Sequence, residues 1–282
     1  MDTEKKKGKE KVHASAAIIA RNEAARIGRC LGSVVGLFDE VVVVVDSRSS
    51  DGTESIARSL GCKVFKEDWK GFGAQKQSAV EKCANDWVFV IDSDEVLPAE
   101  TARKISEAVA SPKASAYAFP RKNYFHEKWM RHGDWWPDWQ VRLLDKRHGR
   151  FQGAIHEGWA LEDGEPGKID SPIEHYSFEN YSSMLKTMDR YSTIIAEDMF
   201  FSRGARAKNA LAPLFHAAWM FLRIYIIKAG FLEGFDGLVM ALLKAGGSFF
   251  KYAKLLEIER GETGKRTKEK KSSAREGMDA GG

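Results

Sequence analysis

Five consecutive valines, residues 41–45, constrain this chain more than any other stretch of it. β-Branched side chains are stiff at χ1 and crowd a helix, so the run predicts a strand. No polar residue alternates through it, so both faces of that strand must be covered. That is the pattern of a parallel sheet with helices on each side. Two further apolar runs, residues 15–20 and 88–91, read the same way. Helix is expected through Arg29 and over residues 53–60 and 74–83, with a short strand at 62–65. Four strands thus alternate with three helices in about ninety residues, which predicts a doubly wound α/β sheet holding a ligand along the carboxyl ends of its strands.

Those ends are polar and mostly acidic. Residues 15–20 run into Arg21-Asn22-Glu23, the valines into Asp46-Ser47 and then Asp51-Gly52-Thr53, and residues 88–91 into Asp92-Ser93-Asp94-Glu95. Three acids at the end of a buried strand repel one another unless a cation joins them. Magnesium or manganese suits such oxygen donors, held by one or two carboxylates together with substrate phosphates. No Gly-x-Gly-x-x-Gly follows a strand and no Walker sequence is present. A nucleotide site here would be built from acids and a metal rather than from a glycine-rich loop.

Ala20-Arg21-Asn22-Glu23, Val45-Asp46-Ser47 with Asp51-Gly52-Thr53, and Asp92-Ser93-Asp94-Glu95 together resemble the family 2 inverting glycosyltransferases of the GT-A fold. The chain is most similar to the bacterial branch that adds glucose to the heptose of the lipopolysaccharide inner core. That branch shares sequences like Trp136-Pro137-Asp138-Trp139-Gln140-Val141-Arg142-Leu143, His156-Glu157 and the glycine-rich residues 230–237. The resemblance spans roughly residues 14–258. It implies a nucleotide-sugar site at Arg21, Asn22, Glu23, Asp46, Lys76 and Asp92, and a divalent metal at Asp92 and Asp94. Relatives often carry two adjacent acids where this chain has Asp46-Ser47. Lys76 has a second reading, as an exposed lysine on a helix.

Transfer from a nucleoside diphosphate needs charge neutralised on the leaving group and a base to take the acceptor's proton. Two carboxylates are candidates for that base. Asp138 lies among aromatics, where partial desolvation would raise its basicity, and Glu157 stands beside His156. The pair His156 and Glu157 could instead hold the metal or the acceptor. Four tryptophans fall between residues 129 and 139, with Gly133, Asp134 and Pro137 among them. Such density predicts a loop that stacks on sugar rings, with Trp136, Gln140, Arg142 and His156 toward the acceptor; the alternative is ordinary aromatic packing. Arg142 reads equally as a cation for the diphosphate or acceptor and as an ion-pair partner.

The remaining residues set limits. The histidines lack the paired spacing of zinc ligands, and His175 reads as part of the site wall. Cys30, Cys62 and Cys83 read as small apolar residues in a reducing compartment. The formal charge of +4 belongs to the termini, since residues 1–12 and 259–282 each carry a net of +2. The near-neutral body gives no nucleic-acid footprint. Both charged ends read as disordered tails. No signal peptide opens the sequence, so the cytoplasm is expected.

Beyond residue 180 the chain turns helical. Residues 181–201 predict one helix, and 211–231 and 238–258 two strongly apolar ones. Charges within both make a spanning hairpin improbable, and Lys244, Lys251 and Lys254 near one face predict an amphipathic pair lying in a membrane interface. The alternative is a helical lid or a dimer contact. The organisation expected is a basic tail (1–12), a GT-A domain (13–180, nucleotide half 13–97, acceptor half 98–180), a membrane-facing extension (181–258) and a charged tail (259–282). The activity expected is transfer of glucose from UDP-glucose to an inner-core heptose by a metal-dependent enzyme on the inner face of the bacterial inner membrane. Transfer to a polyprenyl phosphate and a noncatalytic scaffold are the alternatives.

Overall fold

The computed structural model describes residues 11–152, 158–206, 209 and 211–279, with 263–279 described by backbone alone. They form two compact units. The first contains residues up to Arg131 and Trp135–Ser177, and the second contains His132–Asp134 with everything from Phe178 onward.

In chain order the first unit runs β1 (Val12–Ala20), α1 (Ile27–Val34), β2 (Phe38–Asp46), α2 (Thr53–Ser59), β3 (Lys63–Glu67), α3 (Phe72–Glu81), β4 (Trp87–Val90), β5 (Glu95–Val96) and α4 (Ala99–Ala110). It continues through β6 (Ala116–Phe125), β7 (Lys128–Trp129), β8 (Asp138–Asp145), β9 (Gly149–Gln152), β10 (Gly158–Leu161), β11 (Gly167–Lys168) and β12 (Ile173–Phe178). The main sheet has the order β3-β2-β1-β4-β8-β6-β12-β5, with β7 and β11 also paired to β6. Strands β3, β2, β1 and β4 are mutually parallel, with Ile18 beside Val43 and Ala16 beside Phe89. From β8 on, the pairings β4–β8, β8–β6 and β12–β5 are antiparallel.

The valine run explains the layering. Val41, Val43 and Val45 join Ile27, Leu31, Ala57 and Ile105 on one side of the sheet. Val42 and Val44 join Ala79, Val80 and Leu144 on the other. Successive side chains of a strand point to opposite faces, so an unbroken apolar run fills two cores at once. The chain runs outward from β1 through β2 to β3 and then returns to place β4 on β1's other side. The order therefore reverses between β1 and β4, where the carboxyl ends of an open α/β sheet leave a crevice.

The second unit comprises α5 (Tyr181–Glu197), α6 (Ala212–Phe221) and α7 (Gly234–Asp279). A π-helical turn (Asp198–Ser202) extends α5, and another (Leu222–Ile227) and a 3-10 turn (Gly230–Glu233) follow α6. Asn180 caps α5, accepting from Ser183 N at 2.9 Å in a capping box. Helix α7 packs against both α5 and α6. Lys254 is held at α5 by Asp189, Ser192 and Thr193 at 2.6–2.9 Å, and Lys251 is half-buried, which lowers its ammonium's pKa. Of the three lysines expected on the polar face of α7, Lys254 is thus bonded to α5, while Lys244 is exposed. The backbone of α7 also stays helical through 259–279, where composition predicted an unstructured tail. That segment has no proline and is rich in Lys, Glu and Arg, all good helix formers.

The glycines of residues 230–237 have a steric reason. A Cβ on Gly237 would run into the Gly230 carbonyl oxygen and come within 2.9 Å of Glu233 Cβ. Gly237→Ala should therefore lower stability by about 1–3 kcal/mol, as overpacking does, and thermal unfolding monitored by circular dichroism checks it. Gly261, with nothing within 4 Å of its would-be Cβ, should accept alanine without loss.

Candidate active site

Every described sequence-predicted site residue lies in the first unit, and several meet at the β1–β4 crevice. Asp92 follows β4, and its two oxygens face two cations. Oδ1 lies 3.0 Å from Lys76 Nζ and Oδ2 lies 2.5 Å from Arg142 Nη2. Lys76 is brought there by α3 and is 6 % exposed, so it is not a surface lysine. The same Nη2 of Arg142 donates to Glu95 Oε1, and Glu95 is wholly buried. Glu95 Oε2 in turn accepts from the Asp92 backbone N–H at 3.0 Å. Opposed to the cost of burial, these two cations hold the Asp92 carboxyl well below the usual carboxylate range. Of the two readings of Arg142, the geometry favours the ion-pair partner, since its side chain is 5 % exposed and clamped between carboxylates.

Asp94 points elsewhere. Its Oδ2 lies 3.5 Å from His175 Nε2 on β12, while His175 Nδ1 is 2.6 Å from Asn123 Oδ1 and 2.8 Å from Ser177 Oγ. Glu23 is close enough for Asp94's charge to act on it. Burial pushes the Glu23 carboxyl up, Arg26 pulls it back and Asp94 adds to the rise. Asp94 and His175 offer one oxygen and one nitrogen donor, atom types that bind divalent ions. Both oxygens of Asp92 thus face cations, whereas Asp94 faces an imidazole. Among the described residues no cluster of three His, Cys, Asp or Glu side chains has metal-binding geometry.

The turns after β1 and β2 are tied to each other. Asn22, at φ 53°, accepts from Ser50 N at 2.9 Å. Glu23 N donates to Thr53 Oγ1 at 2.8 Å and Ala24 N to Asp51 Oδ2 at 2.9 Å. Asp51 and Thr53 therefore shape the loop. The buried Asp46 takes two hydrogen bonds from the Arg48 side chain at 3.0–3.2 Å, and Arg21 Nε stands 3.3 Å away. The Arg48 hydrogen bond first, and the charges of Arg48 and Arg21 with it, lower the Asp46 pKa.

Asp138 opens β8, opposite Arg121 on β6. Arg121 Nε and Nη2 both donate to Asp138 Oδ2, at 2.9 and 2.6 Å, and Gln140 Nε2 donates to Oδ1 at 2.8 Å. The expected rise in basicity is not found. Burial does raise this pKa, but Arg121, Gln140 and Asn123 outweigh it and the net shift is downward. Arg121 Nη1 also lies 3.4 Å from Glu95 Oε1, so one chain of charges runs Asp138–Arg121–Glu95–Arg142–Asp92–Lys76. Trp136, joined to Pro137 by a cis peptide, packs edge-on against Trp129 with centroids 5.3 Å apart. His156 and Glu157 lie outside the described residues.

Arg121, Asn123 and Arg48 escaped the sequence reading. Arg48 sits inside the acidic motif and was legible as its partner; Arg121 and Asn123 lie on β6, far along the chain from the carboxylates they serve. The three cysteines are free, with Cys30 and Cys83 buried.

The model of glycosyl transferase family 2 matches residues 15–163, the strands that carry these carboxylates. An uncharacterized glycosyltransferase of Rickettsia felis is 32% identical over 259 residues, covering 86% of this chain and 89% of that one. The lipopolysaccharide core biosynthesis glycosyltransferase LpsC of Rhizobium meliloti is 28% identical over 269 residues, covering 86% and 94%. Among solved structures, S. aureus TarS 1-349 aligns over 89% of this chain and 92% of its own with a TM-score of 0.43 and 16% identity. The chain belongs to glycosyl transferase family 2.

Proposed function

We propose that the protein transfers glucose, with inversion, from UDP-glucose to a heptose of the lipopolysaccharide inner core or a similar lipid-linked saccharide, working on the inner face of the inner membrane. The observation that carries the reading is the division of the acids at the β1–β4 crevice. Asp92 is neutralised by Lys76 and Arg142, whereas Asp94 meets His175. The similarity to LpsC supports the acceptor class.

In this reading the uridine lies over Arg21, Asn22 and Glu23, with Asp46 toward the base and Lys76 and Asp92 beside the ribose and diphosphate. Asp94 and His175 would hold a magnesium or manganese ion, which supplies charge neutralisation for the departing diphosphate. Trp136 and Gln140 face the acceptor. Asp138 takes the proton of the attacking hydroxyl. Arg121 keeps it ionised and aims it, at the cost of some basicity.

The test is a transfer assay with UDP-glucose and a heptose-terminated oligosaccharide. Asp138→Asn should lower kcat by about 10²–10⁴, the usual worth of a general base, while Glu157→Gln changes it only a few-fold. The opposite ranking would move the base to Glu157. The pH profile gives a second test. A carboxylate whose pKa is depressed in the folded protein stays ionised below its unfolded value of about 3.9. The acid limb of kcat/KM should therefore lie below that pH in the wild type and move upward in Arg121→Gln. By the same linkage the Asp138–Arg121 pair stabilises the fold above about pH 3.9, and this contribution is lost as pH falls through the folded pKa. An acid limb unchanged by Arg121→Gln would remove Asp138 as the titrating base.

A further inference from the structure

The second unit exposes a continuous apolar face that its own helices do not cover. Leu211, Phe215, Trp219, Leu222 and Ile226 recur at intervals of three or four, so they line one side of α6 and the π-helical turn after it. Phe215 is 71% and Trp219 56% exposed, and Phe231 extends the patch in the 3-10 turn. A soluble helix ordinarily presents polar residues on the side away from its neighbours. Here the outer side is apolar and only Pro213 and Ile224 are buried beneath it. Contiguous exposure on this scale marks an interaction surface.

The charge around the patch identifies what covers it. From Met199 to Leu232 the sequence contains no Asp or Glu, while Arg203, Arg206, Lys208, Arg223 and Lys228 fall within it. Asp198, Glu259 and Asp134, from outside that stretch, pair with Arg203, Arg206, Arg223 and Lys228, but such exposed pairs are weak and can yield to other anions. An apolar stripe with a tryptophan, flanked by such cations, is complementary to the headgroup region of an anionic bilayer. None of the described helices is long and apolar enough to cross a membrane, so such a helix would lie in the interface. We infer that the outer face of α6 and its following turns is a docking surface for anionic lipid. The inference deepens the proposed function, resting on its assignment of a lipid-linked acceptor. It places the contact on α6, whereas the sequence had pointed equally to α7.

The same segment carries a second feature. Glu233 Oε1 accepts from His132 N at 3.0 Å and lies 2.7 Å from His132 Nδ1, Gly133 N donates to Lys228 O at 2.8 Å, and Asp134 pairs with Arg223 and Lys228 at 2.5 and 3.2 Å. Residues 132–134 are thus anchored on the turns that would sit at the lipid surface.

The experiment is co-sedimentation of the full-length protein with phosphatidylethanolamine–phosphatidylglycerol vesicles and with phosphatidylcholine vesicles. The wild type should bind the anionic vesicles and release them as salt rises. Phe215→Ser combined with Trp219→Ser, both at exposed positions, should weaken that binding about tenfold or more. UDP titration of the same double variant reports whether the first unit is intact, so a lost donor site is distinguished from a lost lipid contact. Equal binding by wild type and double variant would overturn the inference, as would equal binding to both kinds of vesicle. So would light scattering that shows a wild-type dimer dissociated by the double substitution, since the face would then belong to a second copy of the chain.

Discussion

Arg142 between Asp92 and Glu95 is the interaction on which the arrangement of this crevice depends. A guanidinium with 5 % of its side chain exposed is tolerated only where carboxylates compensate its desolvation, and removing one partner of such a buried pair typically costs about 3–5 kcal/mol. Two acids meet that demand, and their positions follow from it. Asp92 and Glu95 are drawn toward Arg142 on β8, and the Glu95 carboxylate also accepts the Asp92 backbone N–H. With its neighbours committed, Asp94 is the acid of this turn that faces His175. A cluster that looks uniform in sequence is therefore divided by one arginine into a pair that it holds and an acid that faces an imidazole.

The division extends across the sheet. Arg121 reaches both Glu95 and Asp138, so the segment after β4 and the start of β8 are joined by a single side chain. On one side lie the turns after β1 and β2, fixed to each other by Asn22, Asp51 and Thr53. On the other lie Asp138, Gln140 and Trp136. In the proposed reaction the first group would serve the donor and the second the acceptor, and a charge network with little freedom would keep them in register.

Much of residues 13–97 was legible in the sequence because the signals there are local. An unbroken valine run can satisfy a period of two only by burying both faces, and the acids stand out directly where those apolar runs end. The antiparallel additions β8, β6 and β12 were less legible, since β12 alternates weakly and β7 and β11 are two residues each. The error at Asp138 has a specific cause. Its aromatic sequence neighbours suggested desolvation as the dominant effect, whereas the countercharge comes from Arg121, seventeen residues away and adjacent only through sheet register. For Lys76 the sequence leaves a site residue and an exposed helical lysine both open, and only the packing of α3 against the sheet excludes the exposed one. Residues 259–282 read as a tail because composition weighs charge against hydrophobicity, whereas Lys, Glu and Arg also favour the helix found to Asp279.

In the proposed reaction Asp94, rather than the cation-bound Asp92, would make nucleotide binding depend on a divalent ion. Isothermal titration of the purified protein with UDP, with and without manganese, tests it most directly when repeated on Asp94→Ala. The account predicts tight binding only with manganese in the wild type, and the loss of that manganese dependence in the variant. Binding of equal strength with and without manganese, or a variant that keeps the full manganese response, would contradict it.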